Sequence, residues 1–219
     1  MYPPNYFQIN KEEIHKLSAV INDNPLATLL ININESLPHV SHIPFHFAEC
    51  ESQCDSATEP ENQVLIAHVS NNHPLAIKLL SGKDVQVNLV FHGEQSYISP
   101  HCHDDVQDNV NGQVVPTWNY AKVHVIGIAS PILAPEKKYQ QMKISSQYFE
   151  REQIKPWELT EISDKKIRQM LTAITFFEVS IRTIEGKFKL SQNKPEQVKK
   201  RITEQLIKKD KAKLAAQVL

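Results

Sequence analysis

The segment V-V-P-T-W-N-Y-A-K-V-H-V-I-G occupies residues 114–127 and begins the longest β-strand pattern in the chain. Its second half consists mainly of β-branched residues interrupted by His124, and this pattern predicts a strand from Trp118 to Leu133. Its first half brings together Trp118, Asn119 and Tyr120, in a chain with only two tryptophans. Taken alone, Trp118 is interpreted as an aromatic of the core or of an interface.

Composition restricts the class of protein. The chain has 219 residues and a net charge of −1, and 41% of its residues are hydrophobic and 22% charged. These proportions are typical of a soluble globular protein. The near-neutral charge gives the molecule as a whole no electrostatic attraction for nucleic acid, so any basic surface must be local.

Targeting and redox signals favour the cytoplasm. The N-terminus, M-Y-P-P-N-Y-F, lacks the charged and long apolar regions of a signal peptide. No apolar run approaches the ~20 residues that span a bilayer. The three cysteines are an odd number, which argues against a disulfide framework. We therefore expect a cytoplasmic protein with no membrane association.

Glycine is scarce, and its distribution excludes two kinds of nucleotide site. The chain has five glycines, all widely separated, so neither a G-x-G-x-x-G motif nor a P-loop is present. A bound nucleotide or phosphate must therefore be held without a glycine-rich loop.

The first half of the chain reads as short strands with a few helices. Residues 26–33 form a short apolar run, and residues 39–48 alternate as a strand. Within that strand Pro44 indicates an edge position or a bulge, because proline cannot donate a ladder hydrogen bond. Asn72 is predicted to cap a helix that begins with proline. A hairpin is predicted with its turn at Gly93.

The second half adds helices and one late strand. A helix begins at Pro135, and a strand pattern covers residues 176–190. A further helix begins beyond Pro195. Together these elements predict a mainly β fold, a β-barrel with helical additions. We expect a domain at residues 1–194 and a basic C-terminal helix at residues 195–219.

Three segments are polar and aromatic where a structural strand would be apolar. They are S-H-I-P-F-H at residues 41–46, A-H-V-S-N-N-H-P at residues 67–74, and S-Y-I-S-P-H at residues 96–101, which precedes the opening segment. A strand that ends in Ser-Asn-Asn before a helix directs backbone N–H groups and amide side chains at one point, which can bind an anion. Considered alone, Asn72 is better interpreted as a helix cap.

These motifs, in this order, resemble the PaiB-type FMN-binding negative transcriptional regulators. The resemblance is carried by H-V-S-H-I-P-F, L-I-A-H-V-S-N-N-H-P, Y-I-S-P, the opening segment and G-K-F-K-L-S-Q-N-K-P, and it runs from the N-terminus to about residue 195. It implies a split β-barrel shared with pyridoxamine-phosphate oxidase. It also implies a homodimer with FMN bound at the subunit interface.

The resemblance further implies which residues bind FMN. The strand at 41–44 would run along the flavin ring, partly through its backbone, and the turn at 68–72 would hold the phosphate. Residues 97–100 would approach the ring or the ribityl chain, residues 118–120 would close the site from the other subunit, and the C-terminal motif would complete the pocket. The candidate cofactor-binding residues are Ser41, His42, Ile43, Pro44, His68, Val69, Ser70, Asn71, Asn72, Tyr97, Ser99, Trp118, Asn119, Tyr120, Lys187, Ser191 and Gln192.

Two features depart from the family pattern. The phosphate turn has no arginine or lysine, so Lys78 or Lys187 would have to supply positive charge. After Y-I-S-P the chain has His101, Cys102 and His103, where the family usually has Ser-Trp-Tyr. These residue types bind zinc, copper and iron, but one-residue spacing is not a structural zinc pattern. A polar surface loop is therefore favoured over a metal site.

The leading hypothesis is an FMN-binding negative transcriptional regulator. The alternatives are a flavin-dependent oxidoreductase or a haem-handling split-barrel enzyme, and a flavin-free dimer whose pocket has degenerated. No residue stands out as a catalytic acid, base or nucleophile, which favours the regulator. A DNA contact is expected through Lys199, Lys200 and Arg201, because they lie in the only strongly basic segment.

Overall fold

The computed structural model describes residues 7, 9, 13, 15–32, 37–48, 63–103 and 114–218. They form both β-strands and helices. In chain order the elements are α1 (His15–Asp23), β1 (Leu26–Ile31), β2 (His39–Pro44), β3 (His46–Phe47), β4 (Val64–Ser70), α2 (Pro74–Leu80), β5 (Val85–Ile98), a 3-10 helix (Pro100–His103), β6 (Thr117–Ile132), α3 (Pro135–Glu150), a second 3-10 helix (Leu159–Glu161), α4 (Asp164–Leu171), β7 (Ile174–Lys189), α5 (Glu196–Lys208) and α6 (Ala212–Val218).

The described strands form one sheet in the order β2-β1-β5-β6-β7-β4-β3. Strand β1 is antiparallel to β2 and β5, and β4 is antiparallel to β3 and β7. The two edge strands, β2 and β3, are separated in the chain by Phe45 alone. A sheet whose two edges are joined by one residue must curve round on itself, so the prediction of a β-barrel with helical additions is confirmed. The predicted edge position of Pro44 is confirmed too.

The chain divides into two compact units, each described here by itself. One comprises Asn24–Phe91 and Val125–Ile184 and is called the barrel unit. The other comprises Met1–Asp23, His92–His124 and Glu185–Leu219 and is called the terminal unit. The residues after Pro195 thus group with the terminal unit, and the predicted boundary at residue 194 stays a prediction.

Three of the fully buried phenylalanines of the barrel unit pack against one another in its core. Phe45 lies between the edge strands, Phe91 lies on β5 and Phe177 on β7. The ring of Phe45 meets the rings of Phe91 and Phe177 edge to face, with centroids 6.1 and 5.9 Å apart. Such pairs contribute about 0.5–1.5 kcal/mol each beyond the area that they bury. The residue that joins the two edges of the sheet therefore also packs the barrel.

The predicted hairpin at Gly93 is wrong. Strand β5 continues from Val85 to Ile98, and Gly93 is a buried residue within it. A Cβ atom at this position would lie 3.1 Å from the Ala121 carbonyl oxygen and 3.2 Å from the Ala121 Cβ. Glycine is needed here because the backbone of β6 approaches closely, not because the chain turns.

The predicted helix cap is displaced by one residue. Helix α2 begins at Pro74 as expected, but its N-cap is His73 rather than Asn72. The predicted helix beyond Pro195 is confirmed as α5, and α6 follows it. In the part of the chain that the structure describes, no helix has both the length and the apolar character needed to cross a membrane.

Candidate functional site

The predicted cofactor-binding residues fall into two groups, one in each unit. The barrel unit holds residues 41–44 of β2 and residues 68–72 at the end of β4, and these are called the turn group. The terminal unit holds the remainder, which are called the aromatic group: Tyr97, Ser99, Trp118, Asn119, Tyr120, Lys187, Ser191 and Gln192.

Strand β2 has one half-buried face and one exposed face. Ile43 is buried and Ser41 is half-buried, whereas His42 and Pro44 are exposed. The exposed His42 ring hydrogen-bonds through Nδ1 with the Thr28 hydroxyl at 3.2 Å. Because β2 is an edge strand of the described sheet, one side of its backbone lies outside the ladder. The strand can therefore offer backbone groups to a ligand, as the resemblance implies.

His73 connects the two parts of the turn group. Its Nδ1 accepts a hydrogen bond from the Leu75 N–H at 3.1 Å, so the proton of the neutral ring lies on Nε2. Nε2 donates to the Ser41 Oγ at 3.1 Å. Burial lowers the pKa of His73, and the nearby His39, whose ring meets it at 5.1 Å between centroids, lowers it further. The neutral ring therefore caps α2 and holds Ser41 at the same time.

Asn71 fastens the turn to the beginning of β7. Its Nδ2 donates to the Thr172 carbonyl at 2.7 Å, and its Oδ1 accepts from the Thr175 hydroxyl at 2.8 Å. Its backbone N–H donates to the Ala173 carbonyl at 3.0 Å. The side chain of Asn71 therefore has a structural partner at both polar atoms. The exposed residues of this turn are Ser70 and Asn72.

His68 is a half-buried residue of the turn group that packs on an aromatic ring. Its ring lies 4.8 Å from that of Phe176, between centroids. Burial lowers its pKa, and the charge of His46 has a smaller effect in the same direction. Val69, the next residue, is buried. These two residues pack towards the protein interior. The polar side chains of the turn that remain available to a phosphate are those of Ser70 and Asn72.

Lys78, a possible source of positive charge for the phosphate turn, lies in the last turn of α2. Its Nζ donates to the Asn32 carbonyl at 2.7 Å. The side chain is therefore bound at the end of the helix that is remote from the turn group. Lys187, the other proposed source, belongs to the terminal unit.

The aromatic group presents two large rings to solvent. Tyr97 on β5 and Trp118 on β6 pack edge to face with centroids 6.1 Å apart, and their exposed fractions are 41% and 52%. Lys209, which the sequence did not single out, lies beside them. Its Nζ is 6.0 Å from the centroid of the Tyr97 ring and donates to the Tyr97 carbonyl at 3.3 Å. Exposed aromatic pairs of this kind are typical of binding surfaces.

Asn119 carries a buried donor without an acceptor. The residue is fully buried, and its Oδ1 accepts from the Ser191 hydroxyl at 3.0 Å. Its Nδ2 has no hydrogen-bond partner among the described residues. A buried unsatisfied donor costs about 1–3 kcal/mol. Ser191 reaches Asn119 from a left-handed backbone conformation, with φ of 64°, which is uncommon for a residue other than glycine.

The other members of the aromatic group support this arrangement. The Gln192 side chain accepts from the Leu190 N–H and donates to the Phe188 carbonyl, which fixes the turn after β7. The Nζ of Lys187 lies 5.7 Å from the centroid of the Tyr120 ring. The structure thus brings the strand start on β6 together with the C-terminal motif, although the two are about 70 residues apart in the sequence.

The His-Cys-His segment belongs to the 3-10 helix at Pro100–His103. Ser99 accepts from the His101 N–H through its hydroxyl and from the Cys102 N–H through its carbonyl, which starts the 3-10 helix. Cys102 is buried, whereas His101 is exposed. Across the described ranges, no three histidine, cysteine or acidic side chains come together to bind a metal ion.

The chemistry of each group fits one part of FMN. A flavin presents a flat aromatic face, a pyrimidine edge rich in acceptors, and a phosphate. The exposed Tyr97 and Trp118 of the aromatic group suit the face. The hydroxyl of Ser70 and the amide of Asn72 suit the phosphate.

Comparison with known proteins points to the same cofactor. A family model described as "Putative FMN-binding domain" matches residues 1–183. The protease synthase and sporulation protein PAI 2 of Bacillus subtilis is 27% identical over 207 residues, which cover 94% of this chain and 89% of that protein.

Two solved structures share the fold. One is the FAD and haem binding protein from Mycobacterium smegmatis, with a TM-score of 0.56 and 15% identity, covering 84% of this chain and 73% of that chain. The other is a "putative 5-nitroimidazole antibiotic resistance protein" from Bacteroides thetaiotaomicron, with a TM-score of 0.51 and 14% identity, covering 82% and 85%. Because the family model covers most of the 219 residues, this chain belongs to the family of FMN-binding domains, with the split β-barrel fold and FMN as its cofactor.

Proposed function

We propose that this protein is an FMN-binding negative transcriptional regulator that binds its flavin as a homodimer. The observation that carries the flavin site is the exposed pair of aromatic rings, Tyr97 and Trp118, which pack edge to face. The regulatory role is supported by the resemblance to the PaiB-type regulators and by the 27% identity to the PAI 2 protein. We place the protein in the cytoplasm, since its three cysteines, an odd number, argue against a disulfide framework.

The resemblance to the PaiB-type regulators supports the dimer proposal. In this proposal the turn group of one protomer holds the phosphate and one edge of the ring. The aromatic group of the second protomer then covers the ring. Two identical sites result, because the same two surfaces meet twice in a two-fold dimer.

Helix α5 is the proposed DNA contact. Lys200 on this helix is exposed, and Arg201 is half-buried. Lys199 forms an ion pair with Glu196 three residues earlier, and its side chain is only 14% exposed, so it is the least available of the three. Phosphate contacts made by these side chains would make DNA affinity fall steeply with salt. The logarithm of the binding constant would fall by roughly 0.9 per contact for each tenfold rise in salt concentration.

The test of the cofactor begins with the purified protein. We expect flavin absorbance in the visible range and, after denaturation, a released molecule with the mass of FMN. Trp118→Ala should raise the dissociation constant of FMN about three- to tenfold, because one aromatic contact contributes about 0.5–1.5 kcal/mol beyond the area that it buries. The matched control is Ser130→Ala, on β6 but in the barrel unit.

A colourless protein that cannot be reconstituted with FMN would contradict the cofactor. Rapid reduction of the bound flavin by NADH or NADPH would assign an oxidoreductase instead of a regulator. For DNA, replacing Lys199, Lys200 and Arg201 by glutamine should abolish a salt-sensitive gel shift with duplex DNA. An unchanged shift would exclude this surface of α5 as the contact.

A further inference from the structure

The turn between α5 and α6 binds β5 through two lysines. Lys209 donates to the Tyr97 carbonyl at 3.3 Å, and the Lys211 Nζ lies 3.6 Å from an oxygen of Glu94. The backbone N–H groups of both lysines donate to the Leu206 carbonyl, at 3.0 and 2.9 Å, and close the turn. The turn therefore contacts β5 at two positions three residues apart.

Packing of the C-terminal helices fixes the position of this turn. Val198, Ile202 and Leu206 of α5 are buried, and so is Leu214 of α6. Burial of these aliphatic side chains favours the packed position of the two helices. Helix α5 packs on the 3-10 helix at Pro100–His103, which begins three residues after Tyr97. Lys209 is thus held beside Tyr97 by a packed helical pair.

The chemistry of this arrangement is that of a cation beside a binding surface. The Lys209 Nζ is 6.0 Å from the centroid of Tyr97, and both Tyr97 and its neighbour Trp118 are substantially exposed. A positive charge at the rim of an exposed aromatic pair favours a ligand that is flat and carries negative charge. FMN has both properties. The family model ends at residue 183 and the motifs of the resemblance end at about residue 195, so Lys209 lies beyond both.

We infer that Lys209 is a further FMN-binding residue, supplied to the Tyr97–Trp118 pair by the C-terminal helices. This inference rests on the proposed flavin site. It assigns to the helical pair a part in cofactor binding, in addition to its part in the fold. Lys209 also brings positive charge to an anionic ligand, in a protein whose phosphate turn has neither arginine nor lysine.

The test compares three variants of the full-length protein by titration of FMN. Lys209→Met removes the charge and keeps the length of the side chain, and it should raise the dissociation constant about two- to fivefold, the effect of one exposed cation–π contact. Lys209→Arg keeps the charge and should bind FMN like the wild type. Lys211→Met removes the other contact of the same turn, away from the aromatic pair, and should also bind FMN like the wild type. Thermal melting of each variant verifies that it folds.

The outcomes separate this inference from the function on which it rests. Equal weakening by Lys209→Met and Lys211→Met would show that the turn only braces β5, and would overturn the role of Lys209. Unchanged binding by Lys209→Met would overturn it as well, with the flavin site left intact. No FMN binding by the wild-type protein would overturn the proposed flavin site and the inference together.

Discussion

The two groups of predicted site residues differ in how completely their polar atoms are satisfied. In the turn group, Asn71 uses both side-chain polar atoms in hydrogen bonds within the barrel unit, and so does the adjoining His73. In the aromatic group, the buried Nδ2 of Asn119 has no partner among the described residues, and Tyr97 and Trp118 leave large rings exposed. The turn group is thus organised by the chain itself, whereas the aromatic group keeps exposed apolar surface that can bind a ligand.

The largest effect on stability is expected in the organised group. Asn71→Ala removes two side-chain hydrogen bonds and leaves the buried Thr175 hydroxyl without its acceptor. The free energy of unfolding, measured with denaturant, should fall by about 2–3 kcal/mol. Asn72→Ala, at the exposed neighbouring position, should change it by no more than about 0.5 kcal/mol. Equal effects of the two substitutions would contradict the structural role of Asn71.

A smaller change is expected at Asn119. Asn119→Leu removes the unsatisfied donor but also the acceptor of Ser191, so the two changes in stability oppose each other. We expect the free energy of unfolding of the FMN-free protein, measured with denaturant, to change by less than about 1 kcal/mol. A loss as large as that of Asn71→Ala would contradict the difference between the two groups.

The stability of the turn group should depend on pH through His73. Its pKa in the folded protein lies below the ordinary value of 6.5, so the unfolded chain takes up the proton first as the pH falls. Its contribution to stability is therefore fully present above about pH 6.5 and is lost as the pH falls from there through the folded-state pKa. His68 has a pKa shifted in the same direction and contributes with the same sign.

Two substitutions at His73 separate its proton from its capping role. His73→Asn keeps an N-cap that does not titrate, so it should reduce the pH dependence of the melting temperature. His73→Ala should reduce it equally and also lower stability above about pH 6.5, where the neutral ring caps the helix, by about 0.5–2 kcal/mol. If the melting temperature of both variants still depends on pH as in the wild type, other groups cause the pH dependence.

The smallest effect on stability is expected at the exposed pair of the aromatic group. Trp118→Ala removes one edge-to-face contact with Tyr97 and should lower the free energy of unfolding by about 0.5–1 kcal/mol in the FMN-free protein. Phe177→Ala, in the barrel core, is the matched comparison and should cost about 3–5 kcal/mol. A comparable loss at Trp118 would mean that this ring serves the fold rather than a ligand.

The sequence anticipated elements whose signal is local. The strand pattern after Trp118 became β6, and the edge position of Pro44 followed from its missing N–H group. The apolar spacing beyond Pro195 became the buried face of α5. The motifs also identified the family, which the match over residues 1–183 confirms. Residue-level roles in FMN binding stay predictions.

Gly93 and the helix cap were interpreted wrongly for a physical reason. A glycine serves equally well in a turn and in a strand that another backbone approaches closely, and only the position of Ala121 distinguishes these cases. Asn72 has the higher intrinsic preference for an N-cap. His73 caps the helix instead, and it also donates a hydrogen bond to Ser41, 32 residues away.

The sequence by itself determined the alternating pattern of the strands, the approximate ends of most helices and strands, and the family. These features depend on neighbouring residues and on ordered motifs. The tertiary structure alone decided which polar atoms are satisfied. Asn71 finds its partners just before and within β7, Asn119 meets Ser191, and Lys209 reaches Tyr97 from the C-terminal turn. These pairs lie between about 70 and 110 residues apart, so no local pattern records them, and only the packed chain brings their atoms together.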